Sequence, residues 1–187
     1  MNRFSHYSLW LAVWLLLSSC SLLPSRPASP ALHDFGVTGS PARESAPAAW
    51  ASVKVAAPEW LQTENIRYRL LYADPTHVHF YSQDRWIAPP PALLAQRLSL
   101  DSGSQGDSLK IELMEFEQVF DGPQQARVIL AFRATAYQPG AEAVYAEKLF
   151  RFSRPTASAD AQGAVTATHD VVEEAVKSAE VWLQKSR

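Results

Sequence analysis

A single cysteine, Cys20, stands in 187 residues, so no disulfide can close within the chain and the fold must rest on its core. Lysine and arginine form no run or patch, which argues against nucleic acid as a partner. The chain has no glycine-rich phosphate loop, no His-Glu-x-x-His, no paired-cysteine metal set and no Gly-x-Ser-x-Gly elbow. The expectation is a protein with no enzymatic activity, no cofactor and no resident metal. Long hydrophobic runs are missing too. The stretch Leu9 to Leu17 falls short of the roughly 20 residues that span a bilayer, and Pro24, Pro27 and Pro30 prevent its extension.

That short run is nevertheless organised. One basic residue, Arg3, precedes it, and two small serines follow it before Cys20, which is the layout of a secretory signal. The closing Leu17-Ser18-Ser19-Cys20 resembles a bacterial lipobox, in which the cysteine thiol takes a diacylglycerol and the cysteine becomes the first residue after cleavage. Residues 1–19 then read as a lipoprotein signal peptide and Cys20 as the lipidation site. Ser21, in place of aspartate, favours the outer membrane by resemblance to lipoprotein sorting. Two or three acyl chains, at about 0.8 kcal/mol per buried methylene, make such an anchor effectively permanent.

Arg3 is the only charge in residues 1–19, so their removal shifts the formal net charge of −2 one unit further negative. The remainder suits one domain. Residues 20–49 read as a flexible periplasmic linker: Pro24, Pro27, Pro30, Pro41 and Pro47 lie among Ser, Ala and Gly with no apolar period. As a random coil this stretch would span roughly 30 Å.

The folded domain is expected over 50–187. Ser52 to Ala56 alternates apolar and polar, as a half-buried strand does. Ile66 to Tyr72 follows, with Ile66, Tyr68, Leu70 and Tyr72 on one face and Arg67 and Arg69 on the other. Ala73-Asp74-Pro75-Thr76 turns the chain, and His77 to Tyr81 returns with Val78 and Phe80 inward. Pro89-Pro90-Pro91, then Leu93, Leu94 and Leu98, predicts a short helix over about 90–100. Three longer strands come next. In the first, the apolar phase shifts from Leu109, Ile111 and Leu113 to Met114 and Phe116, which calls for a bulge near Leu113 or burial of both faces. Alternation from Ala126 to Ala136 and from Val144 to Phe152, with short connections, completes an antiparallel meander. Residues 154–167 read as a loop. Val171, Val172, Ala175, Val176, Ala179, Trp182 and Leu183 form the stripe of a closing helix over roughly 168–185, which Asp170 and Glu173 would cap. The predicted class is α+β, in the order β-ββ-α-βββ-α. A single mixed or mostly antiparallel sheet of five to six strands carries two helices.

Chemistry-bearing residues are few. His77 and His79 share a strand face but have no third ligand at a useful spacing. Glu115 and Glu117 share another face and read as solvated carboxylates. Tyr81, Arg85 and Trp86, crowded against the three prolines, have the composition of an interface core, and Arg67 and Arg69 join them as candidate partner-binding residues; the alternative for the Tyr81 to Pro91 segment, with the greater weight, is a structural one in which Trp86 packs under the hairpin.

Three successive stretches carry a family resemblance: Ala57-Pro58-Glu59-Trp60-Leu61, then Ile66-Arg67-Tyr68-Arg69, then Tyr81 to Pro90. They resemble the ABC-type transport auxiliary lipoproteins, with Pro58, Leu61, Tyr68, Arg69, Tyr81, Arg85, Trp86 and Pro89 at the family's positions. Pro90 stands where relatives more often have leucine, and His33-Asp34-Phe35-Gly36 replaces their Tyr-Tyr-x-Leu strand. The resemblance implies a non-catalytic, outer-membrane lipoprotein that docks an intermembrane lipid conduit. Its partners would be a periplasmic mammalian-cell-entry-type protein and an inner-membrane ABC permease and ATPase, and it could form a homo-oligomeric ring. The alternative is a structural or assembly lipoprotein of the envelope.

Overall fold

The computed structural model describes residues 29–36, 50–103, 105–140 and 143–187. Residues 1–28, with Cys20, lie outside the described residues. Everything is hung on one long strand. Asp107–Gly122 (β5) pairs along its whole length with Gln125–Tyr137 (β6), which pairs in turn with Val144–Pro155 (β7), the antiparallel meander expected from sequence. Leu109, Ile111, Leu113 and Phe116 are buried along β5, and the register slips between Leu113 and Glu115. The phase shift is therefore a bulge, although it turns Met114 outward to solvent.

The other border of β5 is shared by two strands placed end to end. Trp50–Ala56 (β2) runs parallel to its first half and Asn65–Leu70 (β3) parallel to its second half. A single 3-10 turn, Glu59–Leu61, bridges them and buries Leu61. Asp74–Trp86 (β4) pairs antiparallel with β3, and Ala31–His33 (β1) adds in parallel outside β4. The result is a mixed sheet of seven strands, ordered β1-β4-β3-β5-β6-β7 with β2 beside β5.

β1 corrects the linker expected over 20–49. Leu32 and His33 pair with Arg85 and Trp86, and Phe35 is buried in the core. Gly36, at φ 81°, ends the segment where a Cβ would come 2.7 Å from the His169 ring, a conformation and a space open to glycine alone.

Two helices cover one face. Pro90–Ser99 (α1) begins on prolines suited to a first turn and ends within a residue of its expected limit. Ala161–Ser186 (α2) starts well before the expected 168, because Asp160, not Asp170, caps it by accepting a bond from the Gly163 amide at 2.8 Å. The residues read as loop, Ala161, Gly163, Ala164 and Ala167, are buried and let the first turns sit close on the sheet. Beneath the helices lie two aromatic groups. Phe35, Trp86 and Phe116 meet at 5.4 to 5.8 Å; Phe150 stacks on Phe132 at 5.1 Å and takes Trp182 edge-on at 5.7 Å.

The helices are tied to each other by charge. Buried Arg97 of α1 makes a two-pronged bond to Glu173 of α2 at 2.6 and 3.0 Å and reaches Asp101 at 2.5 Å. Burial alone would lower its pKa, but the bonds to Glu173 and Asp101 outweigh it and hold the guanidinium above its ordinary value. The uncovered sheet face is instead a charged ladder in which Lys110, Glu112, Arg133 and Glu147 follow one another at 2.9, 3.2 and 3.5 Å.

Candidate docking surface

The five residues expected to bind a partner do not form one surface. Trp86 is 2% exposed and belongs to the core beside Phe35 and Phe116. Tyr81 points to the same side, where its hydroxyl donates to Gln118 Oε1 at 2.6 Å. Burial pushes its phenol well above the usual range. Trp86 thus takes the packing role, and Tyr81 is half-buried beside it. Arg85 alone of that trio is exposed, opposite Leu32 of β1.

Arg67 and Arg69 lie across the sheet, away from the helices. Arg69 donates through Nε to both oxygens of Glu117, at 2.9 and 3.0 Å, and Arg67 Nη2 stands 3.9 Å from the same carboxylate. Glu117 is thus an internal counter-ion and not the solvated carboxylate its alternation suggested. Arg67 is buried at 8% exposure, which corrects its reading as a half-exposed strand arginine. Burial, with Arg69 beside it, pulls its pKa down against the pull of Glu117. Its Nε has no hydrogen-bond partner among the described residues, while Nη1 donates to the Trp60 carbonyl oxygen at 2.9 Å.

One neighbour of Arg67 is an aromatic ring. Its guanidinium carbon lies 4.6 Å from the Trp60 ring centre, a cation–π contact, and Phe80 is its direct partner across the β3–β4 ladder. Trp60 and Phe80 are themselves 49% and 51% exposed. Phe80 therefore faces solvent, contrary to the inward placement read from alternation, and Tyr72 is exposed beyond the end of β3. Trp60, Arg67 and Phe80 set a cation against one exposed ring and, across the ladder, beside a second, the aromatic and arginine composition of an interface centre. Among the described residues it is the candidate docking surface with the clearest geometry. Sequence alternation missed it because Trp60 lies outside any strand; the only signal was a tryptophan after Pro58, in a segment too short to bury it.

On the helix-bearing face a second aromatic row runs across β4 and β3. His77 stacks on His79 at 4.1 Å, His79 on Tyr68 at 4.9 Å, and Tyr68 meets Tyr81 at 4.7 Å. Asp74 is 4.0 Å from His77, and no group of three or more potential metal ligands converges among the described residues. A groove of about 440 Å³ opens beside β1, lined by Leu32, His33, Ile87, Val165 and His169, with His33 held to Asp84 at 2.8 Å.

No family model and no curated protein matches the chain. Solved structures share its fold. A DUF330 protein of Xanthomonas campestris superposes at TM-score 0.66 and 19% identity, over 84% of this chain and 96% of that one. An uncharacterised protein superposes at TM-score 0.63 and 12% identity, over 83% of this chain and 99% of its own. A provisionally assigned lipoprotein of Caulobacter crescentus overlaps far more loosely, at TM-score 0.37 and 11% identity. For the first two, at these identities, the likeness is one of fold.

Proposed function

We propose that this chain is a lipid-anchored lipoprotein of the bacterial envelope, an auxiliary subunit that docks an intermembrane lipid conduit at the outer membrane. The observation that carries the reading is Leu17-Ser18-Ser19-Cys20 at the end of a signal-like run, in a chain with no other thiol. The resemblance of residues 57–61, 66–69 and 81–90 to ABC-type transport auxiliary lipoproteins supplies the finer part. Its partners would be a mammalian-cell-entry-type periplasmic protein and an inner-membrane permease and ATPase, the ATPase supplying the energy. The subunit itself would supply a surface, for which Trp60, Arg67 and Phe80 are the natural centre.

Two measurements test the two parts. Cys20→Ala should leave an unprocessed precursor that takes up no labelled palmitate; unchanged labelling rejects the lipid site. Affinity recovery of the intact chain from detergent-solubilised membranes should bring down the permease and its bridging protein, and Trp60→Ala with Phe80→Ser should abolish that recovery while leaving palmitate uptake unchanged. Recovery of outer-membrane assembly factors alone supports the structural lipoprotein instead.

A further inference from the structure

Among the described residues β1 is the last strand on its side of the sheet. Leu32, its middle residue, is 62% exposed. Ile87, whose amide donates to the His33 carbonyl oxygen at 2.8 Å, is 57% exposed beside it. Both line the groove of about 440 Å³, together with Val165 and His169 of α2. Arg85, exposed and in register with Leu32, adds a cation to the same border. The acidic groups here are already engaged: Asp84 is held by His33 at 2.8 Å, and Asp34 accepts from the Gly36 amide at 2.8 Å. Two large apolar side chains and a guanidinium thus stand together at one border of the domain.

Position decides what meets them. Ala31, the first residue of β1, stands eleven residues after Cys20, a few nanometres at full extension. The lipid reading of Cys20, on which this inference rests, therefore ties the domain to a bilayer at this border. A tether makes a second contact with the same surface intramolecular, at an effective concentration of order millimolar. A contact too weak to recruit a free protein is then enough.

We propose that the β1 border rests directly on the phospholipid leaflet that holds the anchor. Leu32 and Ile87 enter the boundary between headgroups and acyl chains, and Arg85 lies among the headgroup phosphates. Binding of this kind grows with the apolar area buried and with attraction to anionic lipid. An arginine suits the rim, because its stem lies along apolar surface while its charge stays at the polar level. Exposure alone does not select the surface. Leu149 of β7 is 59% exposed, yet it stands at the opposite border, roughly 24 Å away across the strands, and stays out of the lipid.

The test uses the full-length chain, purified from membranes with its anchor and reconstituted into vesicles of phosphatidylethanolamine and phosphatidylglycerol. A lipidated Cys20 offers no free thiol, so a cysteine introduced elsewhere carries the only thiol-reactive fluorophore. Bromine on a share of the acyl chains quenches a fluorophore that lies in lipid, and does not quench one buried against protein. Quenching at Leu32→Cys and at Ile87→Cys should exceed that at Leu149→Cys several-fold. All three replace exposed side chains and leave the core intact, and the first two read the surface independently. Equal quenching at the three sites, or none at 32 and 87, overturns the proposal and leaves the anchor standing. Labelling of the unaltered chain, run alongside, reports a free Cys20 and rejects the lipid reading, and this proposal with it.

Discussion

At the scale of single residues, Trp86 is a case where packing prevails over docking. Its neighbours Arg85 and Pro89 suggest a docking patch, but alternation along β4 turns it inward, where Phe35 meets it edge-on from a segment 51 residues upstream. That partner was not legible, because a contact so distant leaves no trace in local periodicity. Trp86→Ala should cost about 3–5 kcal/mol, as truncation of a large buried aromatic does, measured as a shift of the urea midpoint. A loss under 1 kcal/mol would return Trp86 to the surface. Arg67 teaches the converse: its alternation reads as exposed, and Trp60 covers it from outside the strand pattern.

At the scale of elements, what was legible is what obeys a short period. The meander of β5, β6 and β7, its bulge after Leu113, and α1 all follow from alternation, prolines and turn residues. The start of α2 was not, because Ala161, Gly163 and Ala164 carry no apolar signal, although they are buried for their smallness. Nor were the parallel pairs of β2 and β3 with β5, which depend on how one long border is divided. The cap gives a sharp test. The hydroxyl of Ser158 and the Gly163 amide hold the Asp160 carboxyl below its ordinary pKa. A carboxyl lowered on folding contributes stability above its unfolded pKa, and that contribution disappears as pH falls through the folded value. Asp160→Ala should therefore cost about 1 kcal/mol near neutrality and progressively less below about pH 4. A loss that persists unchanged into acid would point away from the ionised cap. The neighbouring Gly163→Ala should be more damaging, since the new Cβ would fall 2.1 Å from the Ser158 carbonyl oxygen.

At the scale of the whole molecule, one carboxylate joins distant parts of the chain. Asp107, at the head of β5, accepts from the Tyr145 hydroxyl at 2.6 Å and from Arg187 at 2.8 Å, drawing the start of β7 and the end of α2 together. Burial and the Asp107 bond push the Tyr145 phenol up to about 12. An unfolded tyrosine loses its proton near pH 10, so between about pH 10 and 12 the folded chain holds a proton that the unfolded chain has released. Stability contributed by this bond is complete below that window and is lost as pH rises through it. Melting temperature should fall across the window less steeply in Tyr145→Phe than in the parent chain; parallel slopes would remove Tyr145 from the account. The shift of Tyr81, in the same direction, adds its own alkaline slope in both proteins and cancels in the comparison.

The smallest strand sets the scale of everything outside the fold. With Ala31 built into the sheet, a chain anchored at Cys20 as proposed could stand at most about 40 Å from its anchor, reckoned from full extension, and would be held from the β1 flank. So short a tether would keep the sheet close against whatever surface held Cys20, with its β1 flank nearest.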